Sequence, residues 1–264
     1  MTSGIDPAQN RDVLLAAVAD AASAGALMLF TPEMSGLVDS NRKRAAENVR
    51  SQDEDSVLAA ICHAAREHGL WVHIGSLALR GNDDRWVNRG FIIDDAGEIR
   101  AHYDKIHLFD VDLPTGESWR ESGAYQAGER AVTVDTPLGR LGMGICYDLR
   151  FPALFAAQSD AGAQILTVPS CFTVPTGKAH WHTLLRARAI ENAAWLVAAT
   201  QTGSHPDGRA TYGHSLVVDP WGEVVLDMGV TAGLGFADID SDRTNDVRAR
   251  IPVIAHRKSI APIL

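Results

Sequence analysis

Apolar residues near the start of the chain follow first a helical and then an extended pattern. Asp6 followed by Pro7 is typical of an N-cap and a first helical position, and apolar residues then recur every three or four positions. The apolar run at residues 26–30 predicts a short strand buried on both faces. We therefore expect a helix at residues 7–24, a strand directly after it, and Glu33 just beyond the end of that strand.

The same alternation of patterns continues along the rest of the chain. The predicted strands are residues 70–79, 86–93, 98–103, 131–135, 140–145, 164–168 and 195–200. The predicted helices are residues 53–68, residues 178–193 and one that begins at Pro152. The predicted turns lie at residues 81–84, 94–97, 136–139 and 219–222. Strands and helices mixed in this way indicate α/β layers.

Composition favours one self-sufficient domain over residues 1–264, since no linker or internal repeat divides the chain. A hydrophobic content of 46% allows a sizeable core. The three cysteines, Cys62, Cys146 and Cys171, are too few and too unevenly spaced for a disulfide framework. A reducing cytoplasm is the compartment that this cysteine usage predicts.

Charge and hydropathy exclude several classes of partner. The chain has 24 Lys and Arg against 33 Asp and Glu, a formal net charge of -9, which would repel a polyanion. No apolar stretch is long enough to span a membrane, and the N-terminus lacks a basic segment followed by an apolar one. We expect neither nucleic-acid binding nor membrane anchoring.

Ionisable and nucleophilic residues come directly after several of the predicted strands. Glu33, Lys105, Cys146 and Cys171 each occupy such a position. In layered α/β folds the ligand crevice lies outside the carboxyl ends of the strands. The sequence therefore predicts that these four side chains meet in one site.

A cysteine at the end of an apolar strand is most often a small buried hydrophobe. Cys146, however, lies between a predicted strand and the helix beginning at Pro152, where backbone N–H groups and the helix dipole favour a thiolate. Glu33 and Lys105 taken singly would be ordinary solvated residues. Their shared crevice with Cys146 favours a catalytic interpretation.

Four segments carry a resemblance to a known family. They are Phe30-Thr-Pro-Glu-Met34, Tyr103-Asp-Lys-Ile-His-Leu-Phe-Asp110, Gly144-Ile-Cys-Tyr-Asp-Leu-Arg-Phe-Pro152 and Tyr212-Gly-His-Ser-Leu-Val-Val-Asp-Pro-Trp-Gly222. In these segments the sequence resembles the nitrilase superfamily, the carbon-nitrogen hydrolases, and the resemblance runs over nearly the whole chain. It implies a four-layer α-β-β-α sandwich and an enzyme without a cofactor.

The resemblance also implies a Glu-Lys-Cys triad, which falls here on Glu33, Lys105 and Cys146, with Glu121 as a second glutamate. Glu33 would take the Cys146 proton, and the thiolate would attack an amide carbon to form a thioester and release ammonia. Lys105 and the backbone N–H of Tyr147 would stabilise the oxyanion. Glu33 would then activate water against the thioester.

Several further residues are candidate substrate contacts. The segment around His180 and Trp181 resembles the amidase branch, and the alternative role for both residues is packing. Cys171 and the adjacent Phe172 are candidates for lining the pocket, with packing as the alternative for Cys171. A carboxylate-bearing substrate would need a cation, which Arg150 or Arg209 could provide. His180 and His182 lie two positions apart on different helix faces, and we expect no metal site.

The residue pair after the nucleophile, Tyr147-Asp148, resembles amidases, whereas nitrile-hydrolysing members tend to carry Trp-Glu there. Residues 186–192 and 208–215 resemble the deaminated-glutathione amidase group most, and omega-amidases next. The alternatives left open are a nitrilase or N-carbamoyl hydrolase on the same triad, a Cys/His hydrolase using His180 or His182, and a non-catalytic binding protein that retains the fold.

Two further expectations follow from the resemblance. Superfamily members generally form dimers, so we expect a homodimer that packs through the helices near residues 152–161 and 178–193. Family members also have an apolar first strand ahead of the segment matched here by residues 1–6. We expect that this strand is missing and that Met1 is an internal residue of a longer reading frame.

Overall fold

The computed structural model describes residues 1–81, 83, 85–113 and 116–261. Its α-helices are α1 (Pro7–Ser23), α2 (Arg42–Ala46), α3 (Ser56–His68), α4 (Pro152–Asp160), α5 (Val174–Asn192), α6 (Ser241–Arg250) and α7 (Val253–His256). Its strands are β1 (Met28–Phe30), β2 (Trp71–Arg80), β3 (Trp86–Ile93), β4 (Ile99–Asp104), β5 (Asp110–Asp112), β6 (Ser118–Arg120), β7 (Val132–Thr136), β8 (Gly139–Met143), β9 (Ile165–Thr167), β10 (Trp195–Ala198), β11 (Thr202–Ser204), β12 (Ala210–Tyr212), β13 (Leu216–Val218) and β14 (Val224–Asp227).

Helix ends follow the local capping signals. The Asp6 carboxylate accepts a hydrogen bond from the N–H of Ala8 at 2.9 Å at the start of α1, and Pro7 occupies the first helical position. Asp55 caps α3 in the same way. That helix ends at Gly69, whose φ of 61° is the left-handed conformation that glycine adopts without steric cost.

The first sheet has the strand order β1-β2-β3-β4, in which β1 and β2 are parallel and the other pairs are antiparallel. Helices α1 and α3 pack against one face of it in a core that includes Leu14, Ile61 and Phe91. On the opposite face, Ile92 belongs to a different core, shared with the second sheet. Adjacent residues of β3 therefore serve two cores, as the alternation of side chains along a strand requires.

The second sheet has the order β14-β13-β10-β9-β8-β7, with β8, β9 and β10 parallel at its centre. Helices α4 and α5 contribute Phe155 and Leu185 to the core that it shares with the first sheet. The layers therefore run helix, sheet, sheet, helix, and the predicted four-layer α-β-β-α sandwich is confirmed.

Most predicted elements are present with shifted ends. Helix α1 matches its prediction to one residue, α3 begins three residues later than predicted, and α5 begins four residues earlier. The turn at residues 219–222 joins β13 and β14 as expected, whereas the turn predicted at residues 81–84 includes positions outside the described residues. Among the described residues, no helix has the length and apolar character needed to cross a membrane.

Strand β1 pairs with β2 along one edge, and a groove of about 610 Å³ borders its other side. Its lining includes Met1, residues 233–239, and the apolar side chains of Leu216 and Leu226. An added apolar strand would find unpaired backbone groups of β1 there.

Candidate active site

Glu33 is positioned by a close crossing of two backbone segments. The chain leaves β1 through Thr31, whose hydroxyl accepts a hydrogen bond from the N–H of Gly75 at 3.1 Å. A Cβ at position 75 would lie 2.1 Å from the Thr31 carbonyl oxygen, so only glycine permits this approach. Glu33 follows and is 4% exposed.

Lys105 follows β4 directly, and its ammonium lies between two carboxylates. Its Nζ donates to Glu33 Oε1 at 2.9 Å and to Glu121 Oε2 at 2.9 Å. Asn88 of β3 donates through Nδ2 to Glu33 Oε1 at 2.9 Å and to Glu121 Oε1 at 3.1 Å. All four side chains are buried or nearly so, which makes each of these contacts stronger than it would be in water.

Glu121 is held in a short 3-10 turn, Glu121–Gly123, that follows the β5–β6 hairpin. Its Oε2 accepts a hydrogen bond from the backbone N–H of Phe109 at 2.7 Å. The carboxylate is therefore fixed from one side by a backbone donor and from the other by Lys105.

Cys146 begins the 3-10 turn Cys146–Arg150, which links β8 to α4. Its φ is 48°, a left-handed conformation that costs a non-glycine residue about 1–2 kcal/mol. The N–H of Cys146 donates to the Pro169 carbonyl at 2.9 Å and fixes the turn against the end of β9. Within the described part of the chain, no acceptor pairs with the N–H of Tyr147, the next residue.

The side chain of Asp148 anchors this turn through hydrogen bonds. Its fully buried carboxylate accepts hydrogen bonds from the N–H of Ile145 and the Tyr103 hydroxyl, each at 2.8 Å, on one oxygen. The other oxygen accepts from the N–H of His107 at 3.1 Å and lies 2.7 Å from His107 Nδ1. Burial and the Asp148 charge raise the pKa of Tyr103, which keeps its hydroxyl a donor.

The charges around Cys146 oppose the thiolate that its position between a strand and a helix favours. Burial, together with the Glu33 charge, raises the pKa of the Cys146 thiol well above its ordinary value, and Lys105 only partly offsets this. Burial alone would raise the pKa of Glu33, but Lys105 and the hydrogen bonds from its neighbours hold it below the ordinary value. The resting site is therefore a thiol beside a carboxylate, because the cysteine is buried against an anion.

A cavity of about 430 Å³ opens over these groups. The sequence-predicted residues among its lining are Glu33, Lys105, Glu121, Cys146, Tyr147, Cys171, Phe172 and Arg209. The backbone N–H of Cys171 donates to Glu33 Oε2 at 2.7 Å, so the two segments meet at the floor of the cavity.

The other predicted contacts lie outside the lining of this cavity. Arg150 Nη2 is 3.3 Å from Nδ1 of His180, and its guanidinium lies 5.7 Å from the ring centre of Phe172. Trp181 is fully buried, packs on Phe172 at 4.8 Å between ring centres and donates from Nε1 to the His214 carbonyl at 2.9 Å. This placement favours the packing role for Trp181.

Three residues of this arrangement were not among the sequence-predicted site residues. Asn88 was visible only as a polar residue inside an apolar strand, and Tyr103 and Asp148 only as members of matching segments. Asn88 lies 55 and 33 positions from its two glutamate partners, and Tyr103 and Asp148 lie 45 positions apart. No local pattern reveals such a pairing.

Comparisons with known proteins agree with this geometry. The model of the carbon-nitrogen hydrolase family matches residues 1–249. A deaminated glutathione amidase of Bos taurus is 40% identical over 266 residues, covering 98% of this chain and 80% of that protein. The chain spans about half (53%) of another relative, the NitFhit fusion protein of Caenorhabditis elegans.

Solved structures show the same similarity. The crystal structure of C. elegans NitFhit is 40% identical with a TM-score of 0.90, covering 98% of this chain and 63% of that one. An amidase from Nesterenkonia sp. AN1, with acrylamide added to its active-site cysteine, is 28% identical with a TM-score of 0.78, covering 96% and 95%. The chain thus belongs to the carbon-nitrogen hydrolase family and is a hydrolase of non-peptide carbon–nitrogen bonds.

Proposed function

We propose that this chain hydrolyses a small carboxamide through a thioester on Cys146, with a deaminated-glutathione-type or omega-amide carboxylate as substrate. The observation that carries the proposal is the position of Glu33. Its carboxylate accepts hydrogen bonds from the Lys105 ammonium and the N–H of Cys171, and Cys146 lines the same cavity. A carboxylate in reach of both nucleophile and cation can act in both halves of the reaction.

In the first half, Glu33 removes the Cys146 proton as sulfur attacks the amide carbon. The raised pKa of the thiol and the lowered pKa of Glu33 mean that the proton moves only as the new bond forms. The proton then passes from Glu33 to the leaving amine, which departs as the C–N bond breaks. The product of this half is a thioester on Cys146.

The developing oxyanion needs donors that are already in place. Its two flanking carboxylates raise the pKa of Lys105 well above the ordinary value, although burial alone would lower it, so the side chain stays charged. The N–H of Tyr147, which has no acceptor among the described residues, adjoins the nucleophile and supplies the second donor. Preorganised donors of this kind contribute about 3–4 kcal/mol each to transition-state stabilisation.

In the second half, the same carboxylate activates a water molecule. Glu33 is again ionised once the amine has left, and it takes a proton from water as the oxygen attacks the thioester carbon. Sulfur leaves as the thiolate and recovers the proton from Glu33, which restores the resting site. Glu121 orients Lys105 throughout, since it keeps a second contact to the ammonium.

Arg209 is the cation that supports a carboxylate-bearing substrate. It lines the cavity, whereas Arg150 does not. Its Nε donates to Asp207 at 2.8 Å, and its guanidinium lies 5.2 Å from the ring centre of Trp119, which fixes its orientation. A guanidinium held in this way can bind a carboxylate through its remaining N–H groups.

The reaction is tested by turnover and by trapping. A panel should include deaminated glutathione, an omega-monoamide of a dicarboxylate, a neutral aliphatic amide, a nitrile and an N-carbamoyl compound, with both acid and amine products quantified. Enzyme quenched during turnover should carry an acyl group on Cys146 by peptide mass spectrometry. An adduct on Cys171, or loss of activity in His180→Ala or His182→Ala equal to that in Glu33→Gln, would overturn the assignment.

The substrate class is tested by removing one charge. Arg209→Met should raise KM for a carboxylate-bearing amide by about 10–100-fold, because charge-assisted hydrogen bonds are worth about 1.5–3 kcal/mol. It should leave KM for the neutral amide nearly unchanged. Arg150→Met is the matched control, since it removes a guanidinium outside the cavity. Equal effects of both variants would remove the basis for this substrate class.

We also propose a homodimer in a reducing compartment. Ile190 of α5 and Trp221 of the β13–β14 turn are both about half exposed, and Ile190 lies beside Gly222, so the two form an apolar surface at the helix layer. All three cysteines are free thiols, which supports the reducing compartment. Light scattering should give twice the chain mass, and Ile190→Asp should give the monomer mass. A monomer at all concentrations would contradict the proposal.

A further inference from the structure

Three side chains outside the catalytic cavity converge on one point of the surface. They are His182 of α5, His214 just before β13, and Asp227 at the end of β14. Nε2 of His182 lies 3.0 Å from Asp227 Oδ2, and Nδ1 of His214 lies 3.1 Å from the same oxygen. We propose that this cluster binds a divalent transition-metal ion, with Zn²⁺ as the ion that its donors suit best.

The donor set has the composition of a zinc site. Two imidazole nitrogens and one carboxylate oxygen suit Zn²⁺, and three protein ligands leave a fourth position for water. Neighbouring ligands around tetrahedral zinc are about 3.3–3.4 Å apart, given metal–ligand bonds of about 2.0–2.1 Å. The two nitrogen–oxygen contacts of 3.0 and 3.1 Å need to widen by only a few tenths of an ångström to match that spacing, and all three donor atoms lie within 4.8 Å of one another.

The surroundings hold the ligands in place before any ion arrives. Oδ1 of Asp227 accepts a hydrogen bond from the N–H of Gly229 at 2.9 Å and also lies 2.9 Å from Nδ1 of His214, so the carboxylate faces His214 with both oxygens and His182 with Oδ2. The His214 backbone has a φ of 57°, and its N–H donates to the Gly229 carbonyl at 2.6 Å. The Tyr212 ring stacks on the His214 ring at 4.5 Å between centres. Hydrogen bonds and packing around the ligands raise the affinity of a metal site.

Metal binding requires a change of tautomer in both histidine rings. In the hydrogen-bonded arrangement a neutral His182 carries its proton on Nε2, and a neutral His214 carries its proton on Nδ1. Metal binding requires both rings to adopt the opposite tautomer, with the protons on His182 Nδ1 and His214 Nε2.

A bound ion would join α5 to the β13–β14 hairpin beside the catalytic cavity. Trp181 precedes His182, donates to the His214 carbonyl and packs on Phe172, a residue of the cavity lining. The ion would therefore stiffen the wall of the cavity without contacting the reacting atoms. Its main effect should be on thermal stability.

The test compares zinc binding by the chelator-stripped full chain and its variants. Calorimetry should show one equivalent of Zn²⁺ bound by the wild type and by the control His256→Ala, which removes an exposed histidine elsewhere. Asp227→Asn and His214→Asn should weaken binding at least about 10-fold. Asparagine at position 214 tolerates the positive φ. At about 100 times Kd, zinc should raise Tm of the wild type by about 5 °C or more.

Two results would overturn the proposal. One is the absence of binding by the wild type below about 1 mM Zn²⁺. The other is unchanged binding in the cluster variants, which would assign the ion to the thiols or to another surface group. Circular dichroism and the metal-free Tm verify folding, and His182→Gln, at a half-exposed helix position, repeats the test if either hairpin variant is unfolded.

Discussion

Replacing Asp148 by Asn changes the residue that holds the backbone next to Cys146 and leaves the nucleophile Cys146 unchanged. Asp148 does not line the cavity, yet its carboxylate accepts the N–H of Ile145, the residue before Cys146. The change preserves shape and removes one charge. We expect a loss of both stability and turnover, because the strained Cys146 backbone depends on this anchor.

The magnitude follows from the hydrogen bonds that the amide cannot make. Asn keeps one acceptor oxygen and places an NH₂ donor where the other oxygen was. The Tyr103 hydroxyl and the His107 ring can reverse their roles, but the backbone N–H of Ile145 or of His107 then faces a donor in either orientation. One unpaired buried N–H costs about 1–3 kcal/mol, and the loss of charge at the remaining contacts brings the total to about 3–5 kcal/mol.

The assay combines urea unfolding with steady-state kinetics on the best amide of the panel. The control is Asp219→Asn, which also removes a buried carboxylate that accepts backbone N–H groups, those of Trp221 and Glu223, but lies outside the cavity lining. Both variants should lose stability. Asp148→Asn alone should lower kcat of the folded enzyme, by about 10-fold or more. Equal kcat values for the two variants would refute the anchoring argument.

Four other changes have defined outcomes. Glu33→Gln should slow formation and hydrolysis of the thioester alike, since one carboxylate handles protons in both halves, and rapid-quench mass spectrometry would show no accumulation of adduct. Lys105→Met should lower kcat about 100-fold or more with little change in KM, measured by steady-state kinetics. Burial lowers the pKa of His73 from 6.5 to about 3, so the folded chain binds fewer protons than the unfolded chain below pH 6.5. Protonation of His73 in the unfolded chain therefore favours unfolding as the pH falls. Between pH 7 and 5.5 the free energy of unfolding of the wild type should fall by about 1 kcal/mol more than that of His73→Leu, measured by urea titration. An apolar strand-forming segment fused ahead of Met1 should raise Tm by filling the groove beside β1, whereas a segment of the same length rich in Gly and Ser should not.

The sequence predicts the fold wherever capping residues or apolar runs mark an element locally. Asp6-Pro7 marks the start of a helix with groups that act on the adjacent backbone, and this signal is confirmed. The strands at the centre of each sheet are apolar runs that need two covered faces. These features depend on neighbours within a few positions, which is why they can be read from one sequence.

The elements that the sequence does not predict are short and exposed. The β5–β6 hairpin has strands of three residues with exposed ends, Asp110–Asp112 and Ser118–Arg120, and no apolar alternation distinguishes them from a loop. Yet this hairpin delivers Glu121 to Lys105. Its position is fixed by contacts between distant segments, such as the hydrogen bond from Arg42 to the Arg120 carbonyl, and tertiary contacts of that kind leave no periodic signature.

The proposed mechanism explains why the site holds two carboxylates for one ammonium. At rest, Glu33 and Glu121 are ionised, Lys105 is charged and Cys146 is a thiol, so the group carries a net charge of about -1. When the thiol proton moves to Glu33 and the oxyanion forms, one negative charge disappears from Glu33 and one appears on the substrate oxygen. The net charge of the buried group does not change, so no additional charge has to be desolvated. With Glu33 neutral, Glu121 is the remaining fixed anion beside Lys105, and it keeps the ammonium protonated and aimed at the oxyanion during the step that needs it.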